Sequence, residues 1–256
     1  MSAAPPGRVY FIGAGPGDPD LITVKGRRLI EKADLVLYAG SLVPRELVAC
    51  ARKEAQVIDS SGLTLENGHD LVRKAALQGG LVARVHTGDP MLYGAVREQM
   101  LLLDGDGIAY EVVPGVSALF AAAAAARVSL TVPDAVQSLA VTRMDGRTRV
   151  PKGQRVADYA AHGGSLAVYL SGAAPGALAQ DLLVAGVAGD CPVLIAHKVG
   201  WPDECLIWST VANLERDAAQ SGFERQVLYL VLPGEKADKK AASRLYDPDF
   251  SHGFRQ

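Results

Sequence analysis

Cysteine is scarce in this chain: Cys50, Cys191 and Cys205 are the only three among 256 residues. They are widely spaced and odd in number, so they offer neither a disulfide framework nor a metal-type spacing. We read them as reduced, inert thiols. An excess of one charge is also missing. The formal net charge of −2 gives no electrostatic footprint for nucleic acid or an anionic membrane. Aromatic residues make up 6% and do not interleave with basic stretches, which removes the stacking platform that single-stranded nucleic acid needs. No apolar run reaches the roughly 20 residues that cross a bilayer. The segment Met1-Ser-Ala-Ala-Pro-Pro-Gly7 lacks the basic and apolar regions of a signal peptide, so the expected location is the cytoplasm. His69, His86, His162, His197 and His252 form no i, i+4 pair, which argues against a zinc site. No Gly-x-Ser-x-Gly elbow and no Gly-Lys-Ser/Thr loop occurs.

What is present is an ordinary globular balance, 49% apolar and 21% charged, long enough for one large domain or two small ones. The first half alternates strand and helix. Strands are predicted over residues 9–12, 35–38, 56–58, 81–85 and 110–113, and helices over 21–32, 68–78, 93–103 and 117–127. Such alternation argues for a mainly parallel sheet covered on both faces. Near Pro133-Asp134 the pattern changes. Five strands are predicted over 138–142, 165–170, 193–197, 205–210 and 227–231, with fewer helices and some antiparallel members. Residues 143–157 read as a surface loop. The fold class is therefore α/β with two domains: 1–133 with the parallel sheet, 134–234 with a mixed sheet, and a polar tail over 235–256.

The richest segment is Gly13-Ala-Gly15-Pro16-Gly17-Asp18-Pro19-Asp20 after the first strand. It approaches the dinucleotide fingerprint Gly-x-Gly-x-x-Gly but places its third glycine one residue early, with Asp18 in the sixth position. Pro16 also removes a backbone N–H where a pyrophosphate would want donors. The loop suits close backbone approach, but not to a phosphate. Two other strands end in similar corners, Thr87-Gly88-Asp89-Pro90 and Pro114-Gly115-Val116-Ser117. Ligands of open α/β sheets sit beyond the carboxyl ends of strands, so three such corners together favour a ligand site. Asp89 has two compatible roles: N-cap of a helix begun by Pro90, or a carboxylate facing ribose hydroxyls. Asp18 and Asp20 could cap the helix expected at Leu21. Asp34 precedes its strand, lies at the wrong sheet edge for a ribose acid, and is structural. The turn Lys198-Val-Gly200-Trp201-Pro202-Asp203-Glu204 is either a polar connection or a second wall of the site, with Gly200 allowing close approach.

These motifs together resemble the tetrapyrrole (corrin/porphyrin) methyltransferases. Gly13–Thr23 is similar to the family's first signature, Val85–Pro90 to its second, and Val113–Ala118 to its third; Val168–Gly172 and Gly200–Glu204 are similar to later ones. The resemblance covers roughly residues 8–232. Within the family, His86–Gly94, the alanine run 121–126 and Trp201–Glu204 look most like the branch that methylates C-11 of precorrin-4 in cobalamin biosynthesis. It implies two domains with S-adenosylmethionine in a cleft between them, precorrin-4 as substrate, and a homodimer. Carried over, Pro16, Thr87, Gly88, Asp89, Leu92, Ser117, Ala118, Leu170 and Gly200 would border the cofactor. Gly15, Gly17, Asp18 and Asp20 would face the substrate. Leu170 stands where relatives often have Met, and the tail after Gly234 departs from the family's ending. No catalytic base is named. Arg84, Arg97, Arg127, Arg143, Arg147 and Lys198 are available for the substrate's carboxylates. Alternatives are the cobalt-containing substrate or another ring position, a nicotinamide-dependent oxidoreductase, a methylase of a macromolecule, and a non-catalytic tetrapyrrole-binding module. The failed fingerprint opposes the oxidoreductase, and the near-neutral charge opposes an RNA methylase.

Overall fold

The computed structural model describes residues 7–237 together with Ser243, Phe250, Ser251 and Gly253. Most of the polar tail read over 235–256, including Lys239, Lys240 and His252, lies outside the described residues. The chain forms two compact units: Met1–Ala121 with Val199–Pro202, and Ala122–Lys198 with Asp203–Gln256.

The first unit holds β1 (Val9–Gly13), α1 (Val24–Lys32), β2 (Leu35–Tyr38), α2 (Arg45–Val48), β3 (Gln56–Asp59), α3 (Leu65–Leu77), β4 (Val82–His86), α4 (Val96–Asp106) and β5 (Tyr110–Val113). The helix α5 (Ala118–Ala126) begins in it. Its five strands run parallel in the order β3-β2-β4-β1-β5. Strand side chains alternate between faces, and both faces are covered. Ile12, Val36, Ala83, Val85 and Val113 pack on one face with Ile30 of α1 and Leu47 of α2. Val9, Phe11, Leu35, Leu37 and Val82 pack on the other with Val72 of α3 and Leu103 of α4.

Helix starts differ from the sequence expectation, and capping explains why. The helix expected from Leu21 begins at Val24, because Thr23 accepts a hydrogen bond from the Gly26 amide at 3.1 Å. Pro19–Leu21 ahead of it is a 3₁₀ turn, closed by Asp18 Oδ1 accepting from the Asp20 amide at 2.9 Å. The helix expected from Gly68 begins at Leu65, with Thr64 accepting from the Asn67 amide at 3.2 Å. The one expected over 93–103 runs instead from Val96 to Asp106 and ends on left-handed Gly107.

The second unit holds β6 (Leu139–Arg143), α6 (Val156–Ala160), β7 (Ser165–Tyr169), α7 (Pro175–Val184), β8 (Pro192–His197), β9 (Cys205–Thr210), α8 (Leu214–Ser221) and β10 (Val227–Val231). The strand order is β6-β7-β10-β8-β9; β6 and β7 are parallel and the other neighbours antiparallel. All five residues of β10 are buried. The sequence reading expects fewer helices here than in the first half, and three intervene, α6, α7 and α8, against α1–α5 before them. They are short, five to ten residues each. Among the described residues no helix is long and apolar enough to cross a membrane.

Candidate functional site

In the first unit β4, β1 and β5 are neighbours, and Gly13 pairs with His86 in register. Their C-terminal corners therefore meet. Gly13 and Gly115 touch backbone to backbone: a Cβ on Gly13 would lie 2.5 Å from the Gly115 Cα and 2.6 Å from the Gly88 carbonyl oxygen. A Cβ on Gly115 would lie 2.7 Å from the Gly13 Cα and closer still to that carbonyl oxygen. These glycines are fixed by the corners' own packing. Gly88 differs. It has φ 58°, which favours glycine, and a Cβ there would enter open space, its nearest neighbour the Ser117 Cα at 3.9 Å. No protein atom crowds this position.

The amide protons at the corner are used internally. Ala14 donates to the His86 carbonyl at 2.8 Å; Gly15 and Gly88 exchange amide-to-carbonyl bonds of 3.3 and 2.7 Å. The Gly115 amide donates to Asp89 Oδ2 at 3.0 Å. A pyrophosphate grip needs such groups free. The failed fingerprint thus has a structural counterpart: four corner amides are already spent.

Asp89 requires a correction. No helix follows it; Pro90–Tyr93 is a turn, and the Val96 helix has Ala95 at its N-cap. Asp89 is therefore not a helix N-cap. Its Oδ1 accepts from the Met91 amide at 2.8 Å, while Oδ2 ties down the third corner. Tyr93 at φ 55° and Ala95 at φ 47° hold left-handed backbone that prevents a helix here. The sequence offers only Gly94 as a hint of it. Each carboxylate oxygen can accept a further bond, so Asp89 retains capacity toward a ligand.

Gly17 and Gly200 owe their lack of side chains to each other's loops. A Cβ on Gly17 would sit 2.6 Å from Trp201 Nε1, and one on Gly200 would sit 2.9 Å from the Asp18 amide nitrogen and 3.2 Å from Pro16 Cγ. Trp201 Nε1 donates to the Pro16 carbonyl at 3.1 Å. The turn at 199–202 is thus a wall of the first loop, and Trp201, absent from the predicted set, is the side chain that fastens it. Pro16 and Gly17 are buried, Asp18 is half-buried and Asp20 exposed.

Thr87 and Leu92 are half-buried beside the second corner; Ser117 is buried and Ala118 half-buried at the start of α5. The structure brings together Gly15, Pro16, Gly17, Asp18, Thr87, Gly88, Asp89, Ser117, Ala118 and Gly200 within the first unit. Leu170 belongs to the second unit, 70% exposed and with φ 54° after β7. Asp34 is structural as expected: it pairs with Arg52 and accepts from the Leu81 amide at 2.6 Å. Of the basic candidates, Arg143 is tied to carbonyls of its own loop and Lys198 to Asp203. His86 is 5% exposed with Nε2 unpartnered, and burial followed by the Arg84 charge lowers its pKa to about 3, keeping the imidazole neutral.

Comparison with known proteins gives the same assignment over most of the chain. Residues 8–215 match the family described as Tetrapyrrole (Corrin/Porphyrin) Methylases. A cobalt-precorrin-4 C(11)-methyltransferase of Priestia megaterium is 43% identical over 97% of this chain and 98% of its own. A precorrin-4 C(11)-methyltransferase of Pseudomonas aeruginosa is 43% identical over 96% and 98%. Among solved structures, a cobalt precorrin-4 methyltransferase superposes with TM-score 0.85 at 43% identity, covering 88% of this chain and 94% of that one. A uroporphyrin-III C-methyltransferase of Thermus thermophilus complexed with S-adenosyl homocysteine gives 0.71 at 29%, covering 88% and 97%. This chain belongs to the tetrapyrrole (corrin/porphyrin) methylases.

Proposed function

We propose that this chain is an S-adenosylmethionine-dependent C-methyltransferase acting on C-11 of precorrin-4 to give precorrin-5 in cobalamin biosynthesis. The observation that carries the reading is the near-full-length match, at 43% identity, to relatives named for methylation at C-11 of this substrate. The corner geometry agrees with it. Its amides are spent, which suits a cationic sulfonium donor and disfavours a phosphate-bearing cofactor. The open space beside Gly88 is a cradle that a Cβ would fill.

When bound, the donor supplies a methyl group already activated by its sulfonium, so neither metal nor covalent nucleophile is needed. The chain's residues then position and enclose. Gly88 and Thr87 would lie along the donor's amino-acid and ribose portion, with Asp89 accepting from ribose hydroxyls through its remaining lone pairs. Pro16, Leu92, Ala118 and Leu170 would give apolar contact, Ser117 a polar one, and Gly200 would border the adenine. Gly15, Gly17, Asp18 and Asp20 would face the macrocycle. Holding the ring carbon in line with the methyl–sulfur bond at about 3–3.5 Å is the catalytic task. The reading takes 1–133 and 134–234 as the two domains. It also takes the enzyme to be a cytoplasmic homodimer, on the family resemblance alone.

A second reading, the cobalt-containing substrate, is favoured by the name of the Priestia megaterium relative. One experiment addresses both. Incubation with carbon-13-methyl donor and either precorrin-4 or cobalt-precorrin-4 should place one labelled methyl at C-11, located by carbon NMR. The form turned over faster identifies the substrate. A methyl at another position, or none with either form, overturns the assignment.

A further inference from the structure

A cavity of about 170 Å³ lies in the first unit, on the sheet face covered by α3 and α4. Ser60, Thr64, Gly68, His69, Arg84 and Gln99 supply its polar and open portions, and apolar side chains the rest. None of its lining residues is an aspartate or glutamate. Arg84 nevertheless projects, half-buried, from the central strand β4 into this pocket. Its Nε donates to Gln99 Oε1 at 3.0 Å, and its Nη1 to the Leu37 carbonyl at 3.1 Å and Ser60 Oγ at 3.0 Å. These acceptors are themselves anchored: Gln99 Nε2 donates to the Ala95 carbonyl at 2.9 Å, and Ser60 Oγ to the Tyr38 carbonyl at 3.1 Å. The guanidinium is held in one orientation by neutral groups. Among the described residues no acceptor meets Nη2 and no carboxylate pairs with Arg84, so a full positive charge faces the cavity uncompensated. Even partial burial of such a charge is costly unless something anionic joins it.

A second observation is independent of the charge. Gly68 sits inside the 13-residue helix α3, where alanine would favour the helix by about 0.5–1 kcal/mol. Its φ is not left-handed, and a Cβ would meet nothing nearer than Leu37 Cδ2 at 3.9 Å. Neither backbone conformation nor packing demands glycine there. A bare helix surface does keep the cavity open in front of Arg84. The volume, against roughly 30 Å³ for a water in liquid, suits an anion of acetate or phosphate size.

We propose that this cavity is a binding site for a small oxyanion of the carboxylate class, received by the Nη2 edge of Arg84 and admitted by the missing side chain at Gly68. The carboxylate can belong to a free anion or to an acid side chain of a tetrapyrrole. The site does not rest on methyl transfer. Burial lowers the Arg84 pKa to about 10 in the absence of the anion, in keeping with an uncompensated charge.

The test is an NMR titration of the full chain, following the Arg84 Nε–H resonance with sodium acetate, inorganic phosphate and uroporphyrin III as separate probes and no methyl donor. A saturable shift with acetate or phosphate is expected. Gly68→Leu, which fills the cavity and keeps Arg84, should weaken binding by about tenfold or more, the loss expected when a charged hydrogen bond cannot form. Arg84→Gln should abolish it; if that variant does not fold, the Gly68→Leu result decides. If uroporphyrin III competes with acetate and is also excluded by Gly68→Leu, the anion is a macrocycle side chain; if not, it is a free anion. No saturable shift with any probe, or equal binding by wild type and Gly68→Leu, overturns the site. Because no methyl donor is present, either result leaves the C-11 assignment to its own experiment.

Discussion

Strands β4 and β10 occupy the same place, the centre of a five-stranded sheet, and are built to different rules. β10 reads Val-Leu-Tyr-Leu-Val and is buried throughout. Its one polar atom, the Tyr229 hydroxyl, donates to the Gly172 carbonyl at 3.2 Å. β4 reads Val-Ala-Arg-Val-His, with Arg84 and His86 on the face that should be most apolar. Buried hydroxyls elsewhere in the second unit are also satisfied, as with Ser165 Oγ donating to the Leu130 carbonyl at 2.8 Å. Each unit also holds one buried ring nitrogen without a partner, His86 Nε2 on the central strand β4 of the first and His197 Nδ1 at the end of β8 in the second. The contrast lies in the central strands: β10 carries no unpartnered polar side chain among the described residues, whereas β4 carries His86 beside Arg84. The difference points to β4 as the working strand and β10 as scaffold.

The largest expected effect breaks the contrast at the strand ends. Gly115→Ala drives a Cβ against the backbone of Gly13 and Gly88, where no side chain can rotate away, and strains the Asp89 bond to the Gly115 amide. A loss of about 4 kcal/mol is expected, above ordinary overpacking because backbone must move. Gly189→Ala in the second unit is the control. Its Cβ would meet the Ala212 Cβ at 3.4 Å, and the change should stay within about 0.5 kcal/mol. Urea unfolding measures both; similar losses would show that the corner is no tighter than a common turn.

His86→Phe sharpens the contrast by making β4 more like β10. The folded-state pKa of His86 is about 3, below the ordinary value of 6.5. Between these values the unfolded chain binds a proton that the folded one refuses. The neutral imidazole's stability contribution is therefore complete above pH 6.5 and lost on acidification toward pH 3, at a slope approaching 1.4 kcal/mol per pH unit. Relative to its own neutral-pH value, His86→Phe should retain about 2–3 kcal/mol more stability than wild type at about pH 4.5. At neutral pH the change should be small, since an unpartnered nitrogen is replaced by a ring of similar shape. Parallel acid denaturation curves would refute the buried, neutral imidazole.

The same contrast explains what was legible beforehand. Alternating apolar positions and Gly-Asp-Pro or Pro-Gly stops mark all ten strands to within one residue at either end, including all of Cys205–Thr210. Those signals are local. The three corners were recognised as a site because each announces itself in a few adjacent residues. What glycine was for at each corner was not legible. Gly13 and Gly115 are pressed together across strands, Gly17 is pressed against Trp201, and only Gly88 faces open space. Such partners are remote in sequence: Trp201 and the Pro16 carbonyl it bonds lie 185 residues apart. The helix expected after Asp89 fails for a related reason: Ala95 takes a left-handed conformation that no alanine advertises. The sequence makes Arg84 a candidate for substrate carboxylates, and its placement on the face covered by α3 and α4 depends on Ser60 and Gln99, remote in sequence.

Tyr229→Phe probes the scaffold side and should have the smallest effect at neutral pH. It removes one hydroxyl that donates to the Gly172 carbonyl, and the ring stays within the same apolar cluster. A buried hydrogen bond of this kind contributes about 1 kcal/mol, and the carbonyl left behind keeps part of that as a cost. The pH dependence is more telling. Burial pushes the Tyr229 pKa up to about 12 from an ordinary 10, so the folded state holds its proton where the unfolded chain releases it. Stability due to the neutral phenol is full below pH 10 and falls as pH rises toward 12. Tyr229→Phe should therefore be weaker than wild type at pH 7 and lose less stability between pH 10 and 11, so that the two alkaline unfolding curves converge. That is the mirror image of His86→Phe, which departs from wild type on the acid side. If Tyr229→Phe instead ran parallel to wild type into alkali, β10 would not be the sealed strand its burial describes, and the division of labour between the two sheets would lose its scaffold half.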